Sequence, residues 1–177
     1  MATTKVTSEV LDLTDAYAFT GAVTGAGSIV QVVNIIDTTL STGTTTYNAD
    51  DTIPQNTEGD EIFTLAITPT SATNKLLIMV QSGLLSNSTT NNGISIMLFQ
   101  DSTAGALSAT RHLQSLGTGP ITSTLQHFMT AGTASETTFK VRSGGNSAGT
   151  TDWNGHGGAR KFGGVSNSGM TIMEIAV

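Results

Sequence analysis

Eight residues, Ile29-Val-Gln-Val-Val-Asn-Ile-Ile36, carry six β-branched side chains and lie between Gly27 and a polar stretch over residues 37–46. Branching at Cβ restricts χ1 against a helical turn but suits a pleated surface, so this run predicts a strand. The signal recurs along the chain. Phe63, Leu65 and Ile67 alternate with Ile62, Thr64 and Ala66, and the alternation stops at Thr68-Pro69, where proline cannot donate to a ladder. Lys75-Leu-Leu-Ile-Met-Val-Gln81 is a further apolar run. The polar segment 86–92 ends in Asn92-Gly93, a pair suited to positive φ, before residues 94–100 turn apolar again. The runs 75–81 and 94–100 are therefore expected to pair as an antiparallel hairpin. Additional strands are expected near 121–129, 136–142 and 170–177. No segment shows the 3.6-residue apolar period of an amphipathic helix. Short strands with turn chemistry between them predict an all-β chain, an antiparallel β-sandwich of jelly-roll type over residues 28–177.

Composition narrows the classes further. Of the 177 residues, 49 are Thr or Ser and only 11% are charged, against roughly 25% in an ordinary soluble domain. A net charge of −6 spread thinly over a chain that is 37% hydrophobic does not describe a disordered protein. Seven Lys plus Arg leave no basic stripe for a phosphate backbone, so nucleic acid is not an expected partner. No apolar run reaches the length of a membrane span, so no membrane insertion is expected, and Met1 to Asp15 lacks the basic and apolar regions of a signal peptide. The chain has no cysteine, which removes disulfides and thiolate chemistry.

Residues 1–27 read as a separate arm. Val10, Leu11 and Leu13 form a short alternating patch, and Tyr17 and Phe19 precede Gly21, Gly25 and Gly27. Such a segment is too short for its own core and is expected to gain order on another surface. At the other end of the chain, residues 144–164 lack periodicity. Their glycines frame Trp153, Asn154, His156, Arg160, Lys161 and Phe162. A loop of this length in a compact domain commonly functions or is held by a neighbouring chain.

Groups able to do chemistry are scattered. His112, His127 and His156 have no metal-ligand spacing. Asp50, Asp51, Glu58, Asp60 and Glu61 form the one acidic cluster, without the spacing of a helical calcium loop; a solvated loop explains them better than a carboxylate pair for glycoside hydrolysis. No Gly-x-Ser-x-Gly elbow follows a strand, and Gly155-His156-Gly157-Gly158 lacks the Lys-Ser or Lys-Thr ending of a phosphate loop. Trp153, Asn154, His156, Arg160 and Phe162 form the candidate contact region. They are suited to stacking on a sugar and bonding its hydroxyls, or to plugging the core or a subunit interface with aromatic area, and the second use is the commoner one for buried aromatics. No catalytic residue, cofactor site or metal site is expected.

Several collinear stretches resemble a domain common in tail-fibre-like and other virion surface proteins of bacteriophages and prophages. They are Asp51-Thr-Ile-Pro-Gln-Asn-Thr-Glu-Gly59, Leu65-Ala-Ile-Thr-Pro-Thr-Ser-Ala-Thr-Asn-Lys75-Leu-Leu-Ile, Leu98-Phe-Gln-Asp-Ser-Thr-Ala-Gly105, Met129-Thr-Ala-Gly-Thr133, Thr138-Phe-Lys-Val-Arg142 and Thr171-Ile-Met-Glu-Ile175. The resemblance covers about residues 28–177 and implies a trimeric β-sandwich module on the particle surface, without a cofactor. A low-charge sandwich can hide apolar surface in a closed cyclic oligomer, which agrees with a homotrimer. The expectation is then a structural, non-enzymatic protein located on the virion: a capsid-decorating or cement trimer, its arm seated on major capsid protein or tail subunits. A short tail fibre, or a receptor-binding protein of the tail that takes a host-surface glycan, is the alternative.

Overall fold

The computed structural model describes residues 27–115 and 117–177. Eight strands of six or more residues carry the architecture: β1 (Ile29–Asp37), β3 (Asp60–Ile67), β4 (Lys75–Gln81), β6 (Gly93–Gln100), β7 (Ser108–Leu113), β8 (Thr124–Thr130), β9 (Thr137–Gly145) and β13 (Ser168–Ile175). Between them lie β2 (Ser41–Gly43), β5 (Leu85–Asn87), β10 (Thr151–Trp153), β11 (Gly155–His156), β12 (Ala159–Arg160) and one 3-10 turn over Phe162–Gly164. All strand pairs are antiparallel. One four-stranded sheet has the order β1-β13-β4-β8 and the other β3-β9-β6-β7, while β2-β10-β5 forms a small third sheet and β11-β12 a two-stranded hairpin. The expected antiparallel β-sandwich is the fold observed.

Period-two alternation builds the core. Leu76, Ile78 and Val80 of β4 are buried while Leu77 and Met79 face the other way; on β13, Met170 and Ile172 are buried and alternate with Thr171 and Met173. The second sheet answers with Phe63 and Ile67 of β3, Ile94, Ile96 and Leu98 of β6, and Phe139 and Val141 of β9. Each fully buried Leu, Ile or Phe side chain stabilises the fold by roughly 1.5–3 kcal/mol relative to exposure. The interleaving of these two inner faces is therefore the main force holding the sheets together.

The two sheets differ on their outer faces. β6 is buried on both sides, since Met97 and Phe99 pack with Tyr47 beyond the sheet. That cover comes from residues 44–59, tied down by Tyr47 N–H to Gly145 O at 3.1 Å, Gly59 N–H to Thr46 O at 3.0 Å and a bridge between Gln55 and Gly105. Gly59 is needed there: its φ is +64° and a Cβ would stand 2.8 Å from the Ser143 carbonyl.

The hairpin expected between 75–81 and 94–100 does not form, because β4 and β6 lie in different sheets. Residues 82–92 carry the chain across the sandwich, with Leu85 fully buried in the core and Asn92 anchored by its amide to Asn87 Oδ1 and Ser147 O at 2.9 and 3.0 Å. The segment 82–92 is too long for the roughly two- to five-residue loop of a tight hairpin, and its buried anchors take the chain to the opposite sheet instead of back along β4. The region 144–164 also departs from an unbroken loop: it closes β9 and supplies β10, β11 and β12, each too short to show a period.

Candidate functional site

The candidate site begins at the small sheet. Cross-strand register places Thr42, Asp152 and Ser86 in one row on β2, β10 and β5, and Ser41, Trp153 and Leu85 in the next. Successive side chains point to opposite faces, so when Trp153 and Leu85 enter the core the Asp152 row must face away from it. Trp153 is fully buried, and its ring meets Phe63 edge-on with centroids 6.0 Å apart at 70°.

Asn154 follows with φ at +61°, a left-handed residue that reverses the chain. Its amide donates to Asp37 O at 3.0 Å and Thr39 O at 3.1 Å, and its Oδ1 accepts from Ser168 Oγ at 2.7 Å, which in turn accepts from Gly83 N–H at 2.7 Å. Asn is among the side chains that tolerate this region of φ and can bond the surrounding backbone. The chain then forms the β11-β12 hairpin through Gly157 and Gly158, both at positive φ, and returns the Gly158 N–H to Asp152 Oδ2 at 2.8 Å.

A cleft of about 430 Å³ opens between this hairpin and the Asp152 row, lined among others by Ser86, Ser88, Thr118, Thr150, Asp152 and His156. Asp152 is 4% exposed, and both of its side-chain contacts, from Gly158 N–H and from Ser86 Oγ at 3.4 Å, fall on Oδ2. His156 Nδ1 is buried and makes no hydrogen bond. Asn87 is also buried at the rim, its amide donating to Thr151 Oγ1 at 2.8 Å.

The five residues of the candidate contact region thus separate. Trp153 and Asn154 are core and clamp, unable to reach a ligand; His156 lines the cleft; Arg160 is exposed on β12; and Phe162 stands 71% exposed in the 3-10 turn. The arm residues Val10, Leu11, Leu13, Tyr17 and Phe19 lie outside the described residues. His112 and His127 are on β7 and β8, whereas His156 is on the β11-β12 hairpin, and burial lowers the pKa of His127. The acidic cluster ties its own loops: Asp60 accepts from Thr45 N–H at 2.9 Å, Glu58 from Asn48 N–H at 2.6 Å, and Asp50 from Thr52, whose hydrogen bonds hold its carboxyl below the ordinary value.

A second surface was not singled out by sequence reasoning. On the outer face of the first sheet, Val32, Met173, Leu77 and Phe128 stand in one register row across all four strands. Val32 is 52% and Phe128 56% exposed. In the row of Ile36, Gly169, Gln81 and Thr124 the glycine leaves a groove of about 370 Å³. A Cβ on Gly169 would stand 2.7 Å from Ile35 O. The signal for this surface was present in the strings Val32-Val33, Leu76-Leu77 and Ile172-Met173, where both faces of an alternating strand are apolar.

No known protein family and no curated protein matches this chain. Solved structures do show similarity. The infectious bursal disease virus VP2 subviral particle is similar over 82% of this chain and 37% of its own, at 11% identity and a TM-score of 0.38. The enzymatically active domain of tailspike protein 4 of bacteriophage CBA120 is similar over 72% of this chain and 19% of its own, at 12% identity and a TM-score of 0.27. Both are viral chains, and this chain spans only about a third and a fifth of their lengths. Overlays this loose carry no functional argument.

Proposed function

We infer that the chain is a structural, non-enzymatic protein of a bacteriophage virion, a homotrimer that decorates the capsid and is anchored by residues 1–27. The observation that carries this reading is the Val32-Met173-Leu77-Phe128 row on the outer face of the first sheet. The corresponding face of the second sheet is covered by residues 44–59, whereas among the described residues this one keeps Val32 and Phe128 more than half exposed. Identical copies are the occupant it fits. The chain carries 13 acidic and 7 basic side chains, yet the outward positions of β1, β13, β4 and β8 hold no carboxylate and a single cation, Lys75. Two like-charged copies therefore meet here without repulsion across the contact.

The phage-like sequence motifs support the same reading, as does the strand order. Taking the eight long strands in chain order, the sheets run first-eighth-third-sixth and second-seventh-fourth-fifth. This order supports reading the sandwich as a jelly roll of two Greek keys, an architecture found among viral capsid domains. A short tail fibre built on the same trimer is the alternative placement.

Copy number in purified particles tests the assignment. Hundreds of copies per virion are expected for decoration, a few dozen or fewer place the trimer on the tail, and absence from the particle overturns the reading. Deleting residues 1–20 is expected to abolish incorporation while the sandwich stays folded. Full occupancy by the truncated protein refutes the anchoring role.

A further inference from the structure

We propose that the cleft beneath the Gly157-Gly158 hairpin binds a neutral polyhydroxylated ligand, a hexopyranose unit of a surface polysaccharide. The proposal goes beyond the virion assignment and stands for capsid and tail placements alike. Its volume of about 430 Å³ lies in the roughly 300–1,000 Å³ range of small-molecule sites.

The lining selects the chemistry. Asp152 is the only acidic residue in the lining, and no Lys or Arg stands beside it there; an anionic ligand would meet this buried side chain without a basic partner, which disfavours phosphate, sulfate and acidic sugars. An apolar ligand would strip water from the hydroxyls of Ser86, Ser88, Thr118 and Thr150 without replacing their hydrogen bonds. A sugar replaces them. Its hydroxyls can donate to Asp152 Oδ1, which accepts no hydrogen bond from the described residues, because both existing contacts go to Oδ2. They can also accept from Ser88, whose Oγ already accepts Thr150 N–H at 2.9 Å and keeps its own proton to donate.

The scaffold is prepared for this. Gly158 N–H at 2.8 Å fixes the carboxylate through Oδ2, and Asp152 sits on a strand whose next residue, Trp153, is locked in the core. The cleft therefore requires little ordering on binding, and rigid polar groups placed in advance raise affinity by lowering that cost. Stacking is not supplied by Trp153, which points away, so binding of a single unit is expected to be weak and to gain strength from several copies in an oligomer.

The test titrates the full chain with the methyl glycosides of glucose, galactose and mannose and with N-acetylglucosamine, following Trp153 fluorescence and amide chemical shifts. At least one glycoside is expected to saturate in the millimolar range, with shifts centred on Ser86, Asp152 and His156. Asp152→Asn should weaken it at least tenfold. Thr118→Trp, which adds bulk to the cleft lining and is not among the hydrogen-bond partners of Asp152, should do the same and keeps the test decisive if Asp152→Asn fails to fold. The proposal is overturned by no saturable shift at tens of millimolar, by equal binding in the folded variants, or by cleft amides that answer to calcium or inorganic phosphate instead of sugar.

Discussion

The Asn74 side-chain amide donates to Glu174 Oε1 at 2.6 Å across 100 residues of sequence. Glu174 is fully buried on the inner face of the first sheet, where a lone carboxylate would be costly. Four further hydrogen bonds reach it: Thr70 N–H and Thr70 Oγ1, each at 2.8 Å, Ser71 N–H at 3.3 Å, and Gln31 Nε2 at 2.7 Å. Every partner is a donor, so the site accepts only a group that donates nothing. It joins β1, the 68–74 turn and β13 at one end of the sandwich.

Burial pushes the Glu174 carboxyl up, but the donors from Asn74, Gln31 and Thr70 together outweigh it and hold the pKa below its ordinary value. A depressed folded-state pKa contributes stability that is present above the unfolded-state value, about 4.3, and is lost as pH falls through the folded one. Urea midpoints are therefore expected to drop below about pH 4, and Glu174→Gln should remove this part of the acid limb. Its amide would also set N–H against N–H, costing about 1–3 kcal/mol at pH 7. An unchanged acid limb in the variant would show that the site is not what titrates.

Leu77→Asp or Phe128→Glu puts a carboxylate in the middle of the proposed subunit contact. Light scattering at micromolar concentration should show a trimer for the parent chain and a monomer for either variant. Because both positions face outward, the change in the stability of the isolated sandwich should remain within about 1 kcal/mol. A monomeric parent chain would remove the trimer.

Trp153 and Phe162 should behave oppositely despite lying nine positions apart in one glycine-rich stretch. Trp153→Ala empties a fully buried site and should cost about 3–5 kcal/mol by chemical denaturation. Phe162→Ala, at a 71% exposed position, should change stability by no more than about 0.5 kcal/mol. Comparable losses would mean that Phe162 packs on something in solution.

Asn154→Gly retains the left-handed turn but deletes the hydrogen bonds to Asp37 O, Thr39 O and Ser168 Oγ. The expected cost is about 1–3 kcal/mol, since these partners are left within the protein. Hydrogen exchange should accelerate at Gly83, whose N–H bonds Ser168 Oγ in the same chain of contacts. Protection unchanged at Gly83 would uncouple the two ends of the clamp.

The strands were the legible part. The runs at 29–36, 62–67, 75–81, 94–100 and 170–177 coincide with β1, β3, β4, β6 and β13 to within two or three residues. Alternation and β-branching are local properties, set by each residue and its neighbours. The short strands β2, β5 and β10 were not legible, because three residues carry no period and their order comes from partners more than 40 positions away. Only half of the candidate site could be read, for a related reason. His156 stood out in a glycine-rich stretch, but Asp152 and Ser86 become neighbours only when β10 and β5 are in register.

By itself the sequence determined that the chain is built of antiparallel strands with turns at Gly, Asn and Pro, since side-chain shape and polarity act over a few residues. It also held both apolar faces of the first sheet, as adjacent pairs such as Val32-Val33 and Leu76-Leu77. Which sheet each strand joins, which outer face is covered, and which carboxylate is buried were decided only by the tertiary structure. The deciding interactions close long loops, 143 residues between Gln31 and Glu174, and such contacts exist only once every intervening strand has found its partner.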